Sequence, residues 1–135
     1  EPEQELFDVC KELGITFVSY SPLGRGFLTG AIKSRADMEP GDFRLNNPRF
    51  TEEAIKENIR FVEVIDQLAQ DKGVTKAQIA LAWILNQNDE ITAIPGTRNM
   101  HRLEENLGAL NIELTQADMD VIESSVPTST MGSRY

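Results

Sequence analysis

The chain has 135 residues, 40% of them apolar and 26% charged, a composition that supports one folded core. Its formal net charge of −9 excludes a general affinity for nucleic acid or anionic membranes, both of which attract basic surfaces. No apolar run approaches the ~20 residues of a bilayer span, no secretory signal opens the chain, and the single Cys10 cannot form an internal disulfide, so a soluble cytoplasmic protein is expected. The chain opens on Glu1-Pro2-Glu3 without an initiator Met and enters a helical pattern at once, as expected of a segment cut from something longer.

Residues 3–13 place Leu6, Phe7, Val9, Cys10 and Leu13 at helical spacing with Gly14 as the stop, and Cys10 is expected to be buried there. Ile15 to Tyr20 is β-branched and aromatic, the composition of a strand covered on both faces in a parallel sheet. A helix, one Gly and such a strand make half of a βαβ unit. From Lys33 to Phe50 the chain turns polar, with Pro40-Gly41, Asn46-Asn47 and Pro48 as breakers. A loop of about 18 residues inside a compact domain is a functional lid or disordered. Its Arg35, Arg44 and Arg49 are either contacts for a ligand beneath it or incidental charge, and solvation accounts for Asp37, Glu39 and Asp42.

Thr51 with Glu52 and Glu53 caps a long amphipathic helix on Ile55, Ile59, Val62, Ile65, Leu68 and Ala69, which ends at Gly73. Thr75 and Gln78 form a capping box for a helix that is apolar all round from Ile79 to Leu85, Trp83 included, and therefore buried. Ile91 to Ile94 is a second strand. Asn99 caps a helix carrying Leu103, Leu107 and Leu110, and Thr115 to Asp118 opens a last helix with Met119 and Ile122.

Chemistry concentrates in two segments about 70 residues apart, Ser21-Pro22-Leu23-Gly24-Arg25-Gly26 and Ile94-Pro95-Gly96-Thr97-Arg98, each following a strand. Each reads as half of a phosphate clamp, because loops after parallel strands present backbone N–H groups and positive helix ends to anions. The first lacks the endings and spacings of a P-loop or a Rossmann turn, and taken alone is equally a strand-to-loop turn. The second is richer. Arg98 and Arg102 stand near a helix N-terminus, where their charge opposes the local dipole, so an anion is expected to compensate them. Glu105 and Asn106 return to that face one turn on, with groups suited to an adenine, although Arg102 could instead pair with Glu104 or Glu105. The single histidine, His101, lacks a partner at ligand spacing, and no metal site or Ser-His-Asp arrangement can be assembled.

The run from Tyr20 through Gly30, followed by Ile94-Pro95-Gly96-Thr97-Arg98 with Arg102, Glu105 and Asn106, resembles the C-terminal part of the aldo-keto reductases. The likeness is to the branch that also contains pyridoxal reductase-like and auxin-induced-protein-like enzymes, and it extends to Gly132-Ser133-Arg134-Tyr135. It implies an α/β fold, a (β/α)8 TIM barrel of which residues 1–135 are strands seven and eight with their helices. It also implies an enzyme reducing aldehydes or ketones with NADP(H), this segment being the cofactor-binding part of a single barrel domain.

Carried over by position, Tyr20 would stack on the nicotinamide and Ser21, Pro22 and Leu23 would line the pyrophosphate, with Gly24 and Arg25 also counted among the cofactor-binding residues. Gly96, Thr97 and Arg98 would border the adenosine phosphate, Arg102 would hold the 2′-phosphate or stack on adenine, and Glu105 and Asn106 would contact the adenine. Other branches carry a Lys where Gly96 stands, so the 2′-phosphate grip rests here on Arg98 and Arg102. The family's catalytic Asp, Tyr, Lys and His belong upstream, and neither Tyr20 nor Tyr135 matches the acid tyrosine. The remainder of the barrel, of ~250 residues when complete, is then required for hydride transfer. Two rivals stand beside this reading: a non-catalytic NADPH-binding subunit of the same fold, and an unrelated phosphate-binding βα module.

Overall fold

The computed structural model describes residues 2–126 and 130–133. Of the expected features, Glu1 and the tail residues Arg134 and Tyr135 lie outside the described residues. The first helix, α1 (Pro2–Leu13), ends at Gly14, whose φ of 62° is the left-handed turn that stops a helix. Phe7 of α1 meets Phe17 edge-on with ring centroids 5.2 Å apart, which ties the helix to β1 (Phe17–Ser19). Cys10 departs from expectation: it is only partly buried, on a helix whose Leu6, Val9 and Leu13 are themselves exposed among the described residues.

β1 pairs in parallel with β2 (Ile91–Ala93), Phe17 opposite Ile91 and Ser19 opposite Ala93, and the ladder continues into Ile94 N–H donating to the Ser19 carbonyl at 3.2 Å. Both strands are shorter than the sequence suggests. Each has a single partner among the described residues, so nothing extends the ladder outward. The expected double covering is likewise absent. Val18 is 50% exposed, since no element among the described residues lies over its face.

Between the strands come α2 (Glu52–Lys72) and α3 (Lys76–Leu85), and after β2 come α4 (Met100–Gly108) and α5 (Gln116–Ser125). The anticipated caps form. The Thr51 hydroxyl accepts from Ala54 N–H at 3.1 Å, Thr75 and Gln78 exchange bonds of 3.2 and 3.0 Å, and Thr115 and Asp118 exchange bonds of 3.2 and 2.8 Å. The main core joins Ile65, Leu68 and Ala69 of α2 to Ile79 of α3 and Ile122 of α5.

Lys72 and Asp118 bridge α2 to α5 at 2.7 Å, and this bond, with those from Thr115, holds the Asp118 carboxyl below the ordinary carboxylate range. A depressed folded-state pKa stabilises fully above the unfolded value near ~4 and is lost as pH falls below it. The stability gap between the protein and its Lys72→Met variant, read from urea midpoints, is therefore expected to close as pH drops from about 6 toward about 3.

The segment from Lys33 to Phe50 is not a bare loop. It folds into three short 3-10 helices, Arg35–Asp37, Phe43–Asn46 and Pro48–Phe50, the latter two capped by Asp42 and Asn47 side chains. Ile32, Met38 and Phe50 sink beneath it against Ile55, a second core whose spacing follows no regular period. Asp37 and Asp42 are structural. Asp37 accepts from Lys33 and Ser34 N–H, both at 2.8 Å, and Asp42 holds Arg44 at 2.6 Å. Arg35 donates to the Phe50 and Leu45 carbonyls at 2.8 and 3.1 Å, which closes the segment on itself.

Candidate functional site

After β1 the backbone reverses through residues held left-handed: Ser21 (φ 50°), Gly24 (57°), Arg25 (58°) and Gly26 (91°). For Ser and Arg this region is sparsely populated and costs of order 1–3 kcal/mol, which marks a shape fixed by its surroundings. Gly24 N–H donates to the Ser21 carbonyl and Gly26 N–H to that of Leu23, each at 2.9 Å, so these glycine amides close the turn itself. Arg44 secures it from outside, its Nη1 donating to the Arg25 carbonyl at 2.9 Å while the rest of the guanidinium grips Asp42. That ion pair lowers the Asp42 pKa and raises that of Arg44.

After β2, Ile94 to Arg98 lead to α4, where Asn99 Oδ1 accepts from Arg102 N–H at 3.2 Å and the Thr97 hydroxyl accepts from Asn99 N–H at 3.1 Å. Gln78 of α3 donates to the Glu105 carbonyl at 2.9 Å and packs where a Cβ on Gly108 would have to go. A glycine at 108 therefore lets α4 close onto α3.

The two turns face one another across a cleft of about 950 Å³. Its walls include Ser21, Pro22, Leu23 and Arg25 from the first turn, Gly96 and Thr97 from the second, and Arg102, Glu105 and Asn106 from α4. Three expected residues stand elsewhere. Tyr20 is 47% exposed at the end of β1 and is not part of the cleft wall, Gly24 faces a smaller cavity behind the turn, and Arg98 lines a shallow recess with Gly96, Thr97, Asn99 and Arg102.

The charges decide what the cleft suits. Arg44 is spent on Asp42, and Lys76, at the start of α3, is spent on Asp66, whose pKa this bond lowers. Arg98 and Arg102 form no ion pair among the described residues, and the anticipated pairing of Arg102 with Glu104 or Glu105 is absent. Two unspent guanidiniums beside a capped helix start match a phosphate, which Arg binds bidentately. Asp66, Gln70, Thr75 and Lys76 also line the cleft, and sequence reasoning missed them. Their one trace is Gly30, left-handed at φ 73°, where a Cβ would sit 2.5 Å from Lys76 Cε.

The sequence profile of the aldo/keto reductase family matches residues 1–127. The chain belongs to that family. It is 43% identical over 135 residues to yakc, an NADP(+) aldo-keto reductase of Schizosaccharomyces pombe, covering 99% of this chain and 40% of that protein. It is 40% identical over 132 residues to the aldo-keto reductase str7 of Strobilurus tenacellus, covering 94% and 39%. The chain thus spans about 40% of the length of these curated relatives.

Among solved structures, a thermostable aldo-keto reductase crystallised with the inhibitor epalrestat superposes with a TM-score of 0.61 at 27% identity, covering 93% of this chain and 35% of that one. A glycerol dehydrogenase from Gluconobacter oxydans superposes with a TM-score of 0.79 at 23% identity, covering 95% and 40%, which speaks for the fold alone. The α/β arrangement here is part of a (β/α)8 barrel with an open two-stranded sheet, and family membership removes the reading as an unrelated phosphate-binding module.

Proposed function

We propose that the protein is an NADP(H)-dependent oxidoreductase that reduces aldehydes or ketones to alcohols, and that residues 1–135 are the cofactor-binding part of its single barrel domain. The observation that carries this is the convergence of both turns on one cleft beside Arg98 and Arg102, which form no ion pair among the described residues. At about 950 Å³ the cleft stands at the upper end of small-molecule sites, large enough for an elongated ligand. Ser21, Pro22, Leu23 and Arg25 would hold the pyrophosphate, with Gly24 setting the turn behind them. Gly96, Thr97 and Arg98 would border the adenosine phosphate, Arg102 the 2′-phosphate, and Glu105 and Asn106 the adenine. Tyr20, exposed at the strand end, would lie against the nicotinamide, which supplies the hydride when the cofactor is bound. Placement is this segment's contribution: fixed donors orient the cofactor, and the walls exclude water from it.

The apolar faces left open by Val18, Ile94, Leu103 and Leu107, 41–56% exposed, would be covered by the remainder of the barrel, which would also bring the catalytic groups and the carbonyl substrate. No helix among the described residues is long and apolar enough to cross a membrane, and a cytoplasmic setting without nucleic-acid partners belongs to this reading. The alternative, a non-catalytic NADPH-binding subunit, is separated by turnover: the complete protein should oxidise NADPH in the presence of a simple aldehyde, and binding without turnover would favour the subunit.

Gly96 allows a second check. A Cβ built there meets nothing within 4 Å, so a side chain is admitted without strain. Gly96→Lys should add a cation next to Arg98 and Arg102 and tighten NADP(H) by several-fold, roughly the 1 kcal/mol of one more charge-assisted contact, with little change for NADH. Equal changes for both cofactors would place the 2′-phosphate elsewhere.

A further inference from the structure

Asn58 is the one buried polar residue among the described residues, 6% exposed on α2, and both ends of its amide are spent on a residue 73 positions away. Its Nδ2 donates to the Met131 carbonyl at 3.1 Å, and its Oδ1 accepts from Met131 N–H at 3.2 Å. A buried amide needs both partners, and Asn58 finds them in the backbone of a single distant residue. The next residue is seated too. Arg49 Nε donates to the Gly132 carbonyl at 3.3 Å, and Gly132, left-handed at φ 88°, lies so close to Pro48 and Arg49 that a Cβ would stand 2.8 Å from Arg49 Cα and nearer still to the Pro48 carbonyl. Met131 and Gly132 are thus clasped at consecutive positions by α2 and by the 3-10 turn Pro48–Phe50, which seats the 130–133 segment.

Between this strap and the back of the first turn is a cavity of about 230 Å³. Ser21, Gly24 and Arg25 line one side, and Arg49, Asn58 and Thr130 the other. Ser21 and Arg25 also line the large cleft, so the turn is a wall with the cleft in front and the rear cavity, lined in part by Thr130 of the strap, behind. That wall contains the two left-handed non-glycine residues, a conformation that persists only while its surroundings determine it. Arg44 fixes it from the loop side.

We propose that the 130–133 strap is the second support of the cofactor-binding turn and that Asn58 is the positioning residue that fastens it. The inference rests on the cofactor reading above. Undocking the strap removes one wall of the rear cavity and lets the turn relax, so cofactor affinity falls through lost preorganisation without loss of any direct contact.

The test uses the complete protein with Asn58→Ala, Gly132→Ala and the double variant. Gly132→Ala undocks the strap without touching α2, so the idea is still tested where Asn58→Ala impairs folding. Two quantities are measured: hydrogen exchange of the Met131 amide and the Kd for NADP(H). Each single variant should speed Met131 exchange by at least tenfold and raise the Kd by about tenfold, and the double variant should be no worse than either, because both act on one event. An unchanged Kd with a freely exchanging Met131 would overturn the support role. Kd losses that multiply in the double variant would overturn it as well, since Asn58 would then act through its own helix. Failure of the unaltered protein to bind NADP(H) is a different result, and it removes the cofactor reading itself.

Discussion

Arg102→Ala is expected to weaken NADP(H) binding by about 10- to 100-fold while changing NADH affinity by less than about threefold, the loss of one charge-assisted contact worth about 1.5–3 kcal/mol. The geometry carries the expectation. Arg102 stands in the first turn of α4 with its N–H fixed by Asn99, and it lines both the cleft and the adjoining recess without an ion pair among the described residues. Truncation would therefore remove the proposed ligand contact and leave no carboxylate stranded. Isothermal titration of both cofactors against the complete protein decides it. Equal losses for NADPH and NADH would move Arg102 from the 2′-phosphate to the shared adenosine portion.

The largest effect on stability should come from Ile65→Ala, about 3 kcal/mol within the usual range of 2–5 for such truncations. Ile65 is 2% exposed at the centre of the cluster that joins α2, α3 and α5, so the vacated space is walled by three helices that cannot all collapse into it. Urea midpoints read from circular dichroism give the loss, and a cost below about 1 kcal/mol would mean that the three-helix core is loosely packed. The same packing seats Thr75 and Lys76 along the cleft, so a milder Ile65→Val variant should also weaken cofactor binding slightly.

Much of this was legible before any coordinates. Thr51, Thr75, Asn99 and Thr115 announced helix starts because a capping hydroxyl or amide acts within three residues, and Gly14 and Gly73 announced stops because only a left-handed residue closes a helix so tightly. The two turns were legible for a similar reason: Pro and Gly write backbone geometry directly into sequence. That both would serve one anion was read from their place behind parallel strands, but no local rule brings residue 22 to residue 97, and their meeting across one cleft is set by the packing.

What the sequence by itself determined is local chemistry: the order and ends of the helices, the two strands, the glycine-bearing turns and the cationic start of α4. Tertiary structure alone decided which charges are spent. Arg35, Arg44 and Arg49 look alike in sequence, yet one closes its own loop, one fastens the first turn and one seats Gly132. Asn58 reads as an ordinary polar position in an amphipathic helix until Met131 is placed against it. The reason is range. Caps and turns act over three or four residues, whereas ion pairing and burial are settled by contacts between segments far apart in the chain, which follow only from the packing of helices and sheet.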